Sequence, residues 1–476
     1  MSDSETTGLL RDTRNGREER PIIPSAALTF FAIALTGYFS SLAFWMYFVD
    51  WRCIVLVLGA PPTTQSFLGN LSLFLSATIG TLYAATQSSL HGKSLVLKYC
   101  AVLIALGSFA IATAQGTVCL LLGRFLQTLG TSPVWSISIG LLGDNYRPEV
   151  QGRALGAFIA SSMLGVASTP LVNHATVSLS SWFSISRFSA WRLSQAVIIA
   201  GEIFCFVAIH ILAPPSPCDP PPVHDERQDR SRALLMQPFS LLTRPIVAVS
   251  CASGFPISAT IGLLWMEVSR YPWPFGSSLV QDLAYAQFLP VGALGMSTGA
   301  ILTGLVSDLV KARQLSRPSP IYPSTQLAVS IPGAVLVAIS SVAIGLILKF
   351  AMGLYHDNSA QRIDTILPMS LLAFFLSGFG ASNVMIPCLA YFLEVAPPLK
   401  NVQLVAASDV LQLAMSLVVF LILVILAQAL GTVVSNTVAA ITAMSSPMLE
   451  VAAQPRIAGR TPSMSSQALV PTNITI

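Results

Sequence analysis

Pro214-Pro215-Ser216-Pro217-Cys218-Asp219-Pro220-Pro221-Pro222, followed by the charged stretch from Asp225 to Arg232, interrupts a chain that is apolar almost everywhere else. Proline at this density removes backbone donors and holds the chain extended, and the charges after it have no apolar surface to bury. Residues 214–241 therefore read as a linker that joins no core. Long apolar runs lie on both sides of it. Upstream they fall at 25–48, 64–86, 94–115, 117–142, 150–173 and 191–213. Downstream they fall at 242–266, 283–307, 325–354, 366–393 and 402–430, with a shorter run rich in Ser, Thr and Asn at 431–446. A helix needs ~20 apolar residues to cross ~30 Å of hydrocarbon, and all but the last run meet that length. The last, opening Gly431-Thr432-Val433-Val434, is accepted because it completes the symmetry. The expected fold is all-α: a polytopic membrane protein with twelve transmembrane helices in two pseudo-symmetric six-helix bundles, residues 25–213 and 242–446, with polar tails at 1–24 and 447–476.

Composition agrees with burial in lipid. The 476 residues are 53% hydrophobic and 10% charged, with a mean hydropathy of +0.70, whereas soluble domains carry roughly 25% charged residues. A net charge of +4, spread along the chain, makes no nucleic-acid surface. The cysteines at 53, 100, 119, 205, 218, 251 and 388 form no C-x-x-C pair, so packing is their expected role and no metal site or cofactor is implied. The first apolar run is too long for a cleavable signal core. Placing the N-terminus in the cytosol puts 18 of the 25 basic residues on the inner side, as the positive-inside rule requires, and makes the linker and both tails cytosolic. The halves also repeat: the loops around Gly92 and Lys311 are 219 residues apart.

The most informative motif is Gly123-Arg124-Phe125-Leu126-Gln127-Thr128-Leu129-Gly130 in the fourth span, continued by Asp144, Tyr146, Arg147, Pro148, Glu149, Gln151, Gly152 and Arg153. Here the chain resembles the fungal drug:proton antiporter branch of the major facilitator superfamily. That branch carries G-R-x-x-Q-G-x-G in helix 4, an Asp at its cytosolic end and E-R-G-x-A-x-G entering helix 5. Thr128 replaces the second Gly, and Gln151 replaces the loop Arg. The resemblance extends through Gly165 and Pro170 in span 5, Trp191-Arg192 opening span 6, and Ala406-Ala407 in span 11. It implies a secondary active transporter with a midplane substrate site between the halves.

Physics singles out Arg124 independently. An arginine inside a span costs several kcal/mol unless it finds acceptors or a wet cavity, so it is expected to serve function, with a structural pairing as the alternative. Gln127, three residues on, shares its helical face. Both are candidate substrate anchors. The family's first gating loop, G-x-x-x-D-R-x-G-R-R, is reduced here to Ala85, Ser89, Gly92, Lys93 and Ser94. Its second-half equivalent keeps Gly304, Asp308, Lys311 and Arg313, which implies a latch between Asp308 and the bases of its own loop. Gly92-Lys93-Ser94 looks like the end of a phosphate-binding loop, but Gln87 stands where the first glycine is needed. The antiporter motif of span 5 survives as Gly165 and Pro170, where a missing backbone donor can bend the helix. His174, further along the same span, is expected to be solvated.

Proton coupling needs a carboxylate that changes protonation as the site alternates. Asp409, about two turns into span 11, is the first candidate, and Glu202, in the middle of span 6, is the second. Glu267 is expected at the outer surface. Glycines at 152, 156, 292, 295, 299 and 304 are expected to bring helices close together. Tyr271, Trp273 and Phe275 fit an interfacial belt, and Glu5-Thr6-Thr7-Gly8-Leu9-Leu10 fits an acidic dileucine sorting signal.

Together these features imply proton-coupled export of a small metabolite or xenobiotic. Export or uniport of organic acids is the alternative, since Arg124 suits a carboxylate. A transporter-derived sensor is a reading from another class, although the tail after about position 446 leaves little room for a signalling domain. No G-x-G-D or H-E-x-x-H occurs, so no enzyme is expected. The expected partners are a small-molecule substrate, protons and the lipid bilayer. The expected state is a monomer in the plasma membrane rather than the vacuolar membrane.

Overall fold

A computed structural model describes residues 24–58, 62–182, 190–213, 278–315, 328–356, 363–395 and 401–444, with no strand among them. Before the linker run α1 (Pro24–Leu58), α2 (Pro62–His91), α3 (Lys93–Ala112), α4 (Thr117–Asn145), α5 (Gln151–Trp182) and α6 (Trp191–Leu212). After it come α7 (Ser278–Leu315), α8 (Ser330–His356), α9 (Ile363–Val395), α10 (Asn401–Leu430) and the short α11 (Thr432–Met444). The expected span at 242–266, the linker, both tails, Glu267 and the aromatic residues 271–275 lie outside the described residues.

Each described apolar run forms one helix, and local chemistry sets the ends. Pro24 and Pro62 open α1 and α2, where a missing N–H costs nothing. α1 outruns the apolar stretch expected at 25–48 and is helical to Leu58, because backbone hydrogen bonding carries the helix across Asp50 and Arg52. Gly92, at φ 89°, turns α2 directly into α3, and Gly431, at φ 90°, turns α10 into α11. Connections this short make neighbouring helices antiparallel. The start of α1 and the end of α6 therefore meet: Thr29 Oγ1 donates to Leu212 O at 3.0 Å. Tyr146 Oη, just after α4, donates to Ala26 O at 3.3 Å. We call this the linker end.

Eight described helices are long and apolar enough to cross a membrane: α1, α3, α5, α6, α7, α8, α9 and α10. Their outward surfaces carry bare Leu, Ile and Phe side chains such as Leu171, Ile211, Leu309 and Phe350, as contact with lipid requires. α2 and α4 are equally long but spend more positions on Ser, Thr and Gln that face the interior. α11 folds back on α10, with Ser435 Oγ donating to Leu423 O at 2.7 Å, and buries Ala443 beside Val337 of α8 and Ala381 of α9.

The glycines at 152, 156, 295, 299 and 304 sit where helices approach closely, whereas Gly292 has space for a methyl group, whose nearest neighbour would be Phe374 O at 3.9 Å. A methyl group on Gly152 or Gly304 would strike the other helix of the α5–α7 pair, and one on Gly295 or Gly299 would strike backbone of α9. Gly123 and Gly130, from the Arg124 motif, bring α4 against α3. Packing this close leaves no room for a side chain. Gly295→Val is expected to cost about 1–3 kcal/mol, the usual penalty for overpacking. Thermal unfolding of the detergent-purified chain would show it as a Tm several degrees lower.

Candidate functional site

Arg124 is fully buried in α4. Its Nη1 donates to Gln127 Oε1 at 2.7 Å and to Ala43 O at 3.4 Å, and its Nη2 donates to Phe44 O at 2.8 Å. Three rings of α1 surround the guanidinium: Tyr47 at 4.5 Å, Phe44 at 5.1 Å and Phe48 at 5.7 Å from its carbon to the ring centroids. These contacts offset part of the cost of burying the charge. Nε alone finds no acceptor. Gln127 Nε2 donates in turn to Ser108 Oγ at 2.8 Å on α3 and to Gln195 Oε1 at 3.2 Å on α6. The Arg124–Gln127 pair foreseen from spacing is thus the hub of a polar network that joins α1, α3, α4 and α6. Ser108 and Gln195 were not foreseen, because a single Ser or Gln in an apolar run carries no spacing signal.

Asp409 sits on α10, where its Oδ2 accepts a 2.5 Å hydrogen bond from Ser136 Oγ of α4. This bond crosses from the helices before the linker to those after it. Other bonds cross the same seam nearer the linker end. Gln403 Nε2 donates to Ser89 Oγ at 3.0 Å, and Asn401 Nδ2 donates to Asp144 Oδ1 at 3.5 Å, while deeper in the bundle Ser297 Oγ donates to Ala160 O at 3.2 Å. Asp144 also pairs with Lys93 Nζ at 2.5 Å, and Lys93 is buried. Lys93 therefore anchors α3 to α4 rather than lying in a solvated loop.

The partners of Asp308 differ from those expected. Asp308, near the end of α7, does not rely on the bases of its own loop but reaches across the seam to the start of α5. It accepts from the backbone N–H of Gly152 at 2.8 Å and of Arg153 at 3.1 Å, and from Arg153 Nε at 2.8 Å. A carboxylate at a helix N-terminus satisfies orphan donors and meets the positive end of the dipole. A loop-internal pair would leave those donors bare. Lys311 instead approaches Glu394 of α9 at 3.5 Å, and Arg313 lies exposed. Ser89 and Asp308 stand at repeat-related positions, and each bonds the first turn of a helix across the seam. Asp308→Asn keeps the shape but loses the charge-assisted bond, worth about 1.5–3 kcal/mol. With Ser89→Cys as reporter, maleimide labelling is expected to quicken about tenfold, the effect of ~1.4 kcal/mol on the opening equilibrium.

On α5, a methyl group on Gly165 would meet the backbone of Tyr38, so the glycine sets the α5–α1 approach, and Tyr38 Oη lies 2.8 Å from Ser168 Oγ. Pro170 lies within α5, which continues to Trp182, and His174 is exposed on the way. One buried acid escaped sequence reading altogether. Asp50 accepts from Asn173 Nδ2 at 2.5 Å, and its second oxygen has no partner. The signal was an acid just past the first apolar run, overlooked because the run appeared to end there. Arg192 donates to Ala112 O at 2.7 Å and Ala114 O at 3.0 Å, capping α3. Glu202 is fully buried on α6, and neither of its oxygens has a partner. Among the described residues no cluster of His, Cys, Asp or Glu could hold a metal ion.

An apolar-coated bundle of long helices with its ionic groups buried inside defines a polytopic membrane protein. The chain matches the Major Facilitator Superfamily over residues 26–407 and belongs to that family. It is similar to the MFS-type transporter mpsC of Macrophomina phaseolina, 23% identical over 71% of this chain and 66% of that one. It is also similar to the multidrug transporter TPO1_2 of Candida glabrata, 22% identical over 69% of this chain and 57% of that one. The matched stretch thus spans just under two thirds of the first relative and little more than half of the second. In fold it resembles the E. coli fucose:proton symporter FucP, with a TM-score of 0.63 at 12% identity, covering 90% of this chain and 98% of that one.

Proposed function

We propose that this transporter is a secondary active exporter that couples the outward movement of a small metabolite or xenobiotic to protons. The observation that carries the reading is the Ser136–Asp409 bond. It puts a carboxylate on the seam, where gaining or losing a proton changes how strongly the two sides hold together. A proton shifts such an equilibrium only by its differential affinity for the two states, and a group on the moving seam has that difference built in. Kinship with a multidrug transporter supports lipophilic cargo.

In this reading the helices on either side of the linker rock as two lobes, and the linker end is cytosolic in the plasma membrane. The Asp308 and Lys311 contacts, with Arg313 beside them, latch that end, while Gly165 and Pro170 let α5 bend as the seam opens. Arg124 and Gln127 anchor substrate when α1 shifts, and Nε is the donor left to offer. Glu202 is the second candidate for proton coupling. That spare N–H also favours an organic acid as the alternative cargo.

The test is flux into proteoliposomes under an imposed pH gradient, with lipophilic compounds and dicarboxylates offered in competition. Lipophilic uptake that a protonophore abolishes is the expected result. Gradient-driven uptake of dicarboxylates alone would replace the cargo, and no flux under any gradient would overturn the reading.

A further inference from the structure

Lys98 and His210 meet on the lipid-facing surface of the bundle, and neither takes part in the proposed transport cycle. Lys98 is the sixth residue of α3, and His210 is the twentieth of the 22 in α6. The two helices run antiparallel, so both residues lie within about 8 Å of the linker end. Lys98 Nζ stands 3.4 Å from His210 Nδ1. An ammonium can only donate, so Nδ1 accepts, Nε2 carries the ring proton, and both groups keep N–H donors to offer. His210 is exposed and Lys98 half-buried. Tyr99, 60% exposed, marks the same level as interfacial, where tyrosine is enriched.

Below this pair, a crevice of about 370 Å³ between α3 and α6 is lined by residues that include Ala105, Leu106, Phe109, Ile203 and Phe206. Leu106, Phe109 and Ile203 are each more than half exposed, so the crevice faces hydrocarbon. Its wall is apolar throughout, and Glu202 presents no polar atom to it. The Phe206 ring stacks on that of His210, with centroids 6.4 Å apart, which makes the crevice continuous with the basic pair. From Lys98 to Phe109, α3 rises about 16 Å, roughly half of the ~30 Å hydrocarbon core and so one leaflet deep.

Two features of different chemistry therefore lie end to end: a positive charge with donors at headgroup depth, and an apolar slot one leaflet deep. Glu202, the only acid on either helix, is buried and does not offset that charge. A ligand that suits both must carry an anion at the interface and a long apolar chain beneath it. Within a bilayer, that is a phospholipid whose headgroup bears a net negative charge. We propose that Lys98 and His210 hold the phosphate of an anionic phospholipid whose acyl chain lies in the α3–α6 crevice. Charge-assisted bonds to the phosphate supply the selectivity, because a zwitterionic lipid brings its own cation against Lys98.

The test is native mass spectrometry of the full chain released from detergent and titrated with dioleoylphosphatidylglycerol. A parallel titration uses dioleoylphosphatidylcholine, which has the same chains and no net charge. The wild type is expected to bind the first molecule of the anionic lipid about tenfold more tightly, a preference of ~1.4 kcal/mol. Lys98→Gln combined with His210→Gln should abolish that preference without weakening phosphatidylcholine. Ala105→Trp, which fills the crevice and leaves both donors in place, should weaken both lipids about tenfold, and it decides the matter if the double variant fails to fold. Glycerophosphate in millimolar excess should not compete; competition would make this a site for free phosphate and overturn the lipid assignment. Equal binding of the two lipids by the wild type, an unchanged preference in the folded double variant, or unchanged binding by Ala105→Trp would also overturn it. No transport is measured, so the outcome is independent of proton coupling.

Discussion

Asparagine at Asp409 is expected to lower proton-gradient-driven flux at least about tenfold while leaving gradient-independent exchange of the same compound nearly intact, the signature of ~1.4 kcal/mol or more of lost coupling. Asparagine keeps an oxygen that can accept from Ser136 Oγ, so the α4–α10 contact survives. The ability to take up and release a proton does not. Parallel measurements of driven uptake and counterflow in proteoliposomes separate the two. Equal loss of both would mean that Asp409 is a structural hydrogen-bonding group, and full retention of both would move coupling elsewhere, with Glu202 next in line.

Arg124→Ala is the second large effect. It strips the partner from Gln127 Oε1 and Phe44 O, and each buried acceptor left unsatisfied costs about 1–3 kcal/mol. It also empties the box formed by Phe44, Tyr47 and Phe48. Transport is expected to fall more than tenfold at normal expression, following from a loss beyond ~1.4 kcal/mol. Arg124→Lys should recover only part of it, because an ammonium cannot reproduce the fork that reaches Gln127 and α1 together. Full transport by the alanine variant would remove the anchor role. Full transport by the lysine variant would show that charge suffices.

The helices were readable because hydrocarbon imposes length and apolarity on them: spans placed at 94–115, 191–213 and 402–430 became α3, α6 and α10 within a few residues. Helix ends in polar sequence were less readable. Asp50 and Arg52 interrupt the apolar run, so the extension of α1 through Ile54 to Leu58, and Asp50 with it, was missed. Arg124 stood out because a charge in a span is costly, and Gln127 followed from helical spacing. The partners that give Asp308 its role, the amides of Gly152 and Arg153, are backbone groups that no side-chain pattern can reveal. Ser136 was invisible for a related reason: a serine in a membrane helix commonly bonds its own backbone, and only the approach of α10 makes this one a partner of Asp409.

In the proposed cycle the two sides of the seam part at the linker end for transport to proceed. Ser89 and Gln403 face each other there, 3.0 Å apart between Oγ and Nε2. With both replaced by cysteine and the seven native cysteines by alanine, a short bis-methanethiosulfonate reagent should join them through a cross-seam disulfide bridge that mass spectrometry can identify. Flux in proteoliposomes should then stop, and a reducing agent should restore it. Undiminished flux with the disulfide fully formed would contradict the account.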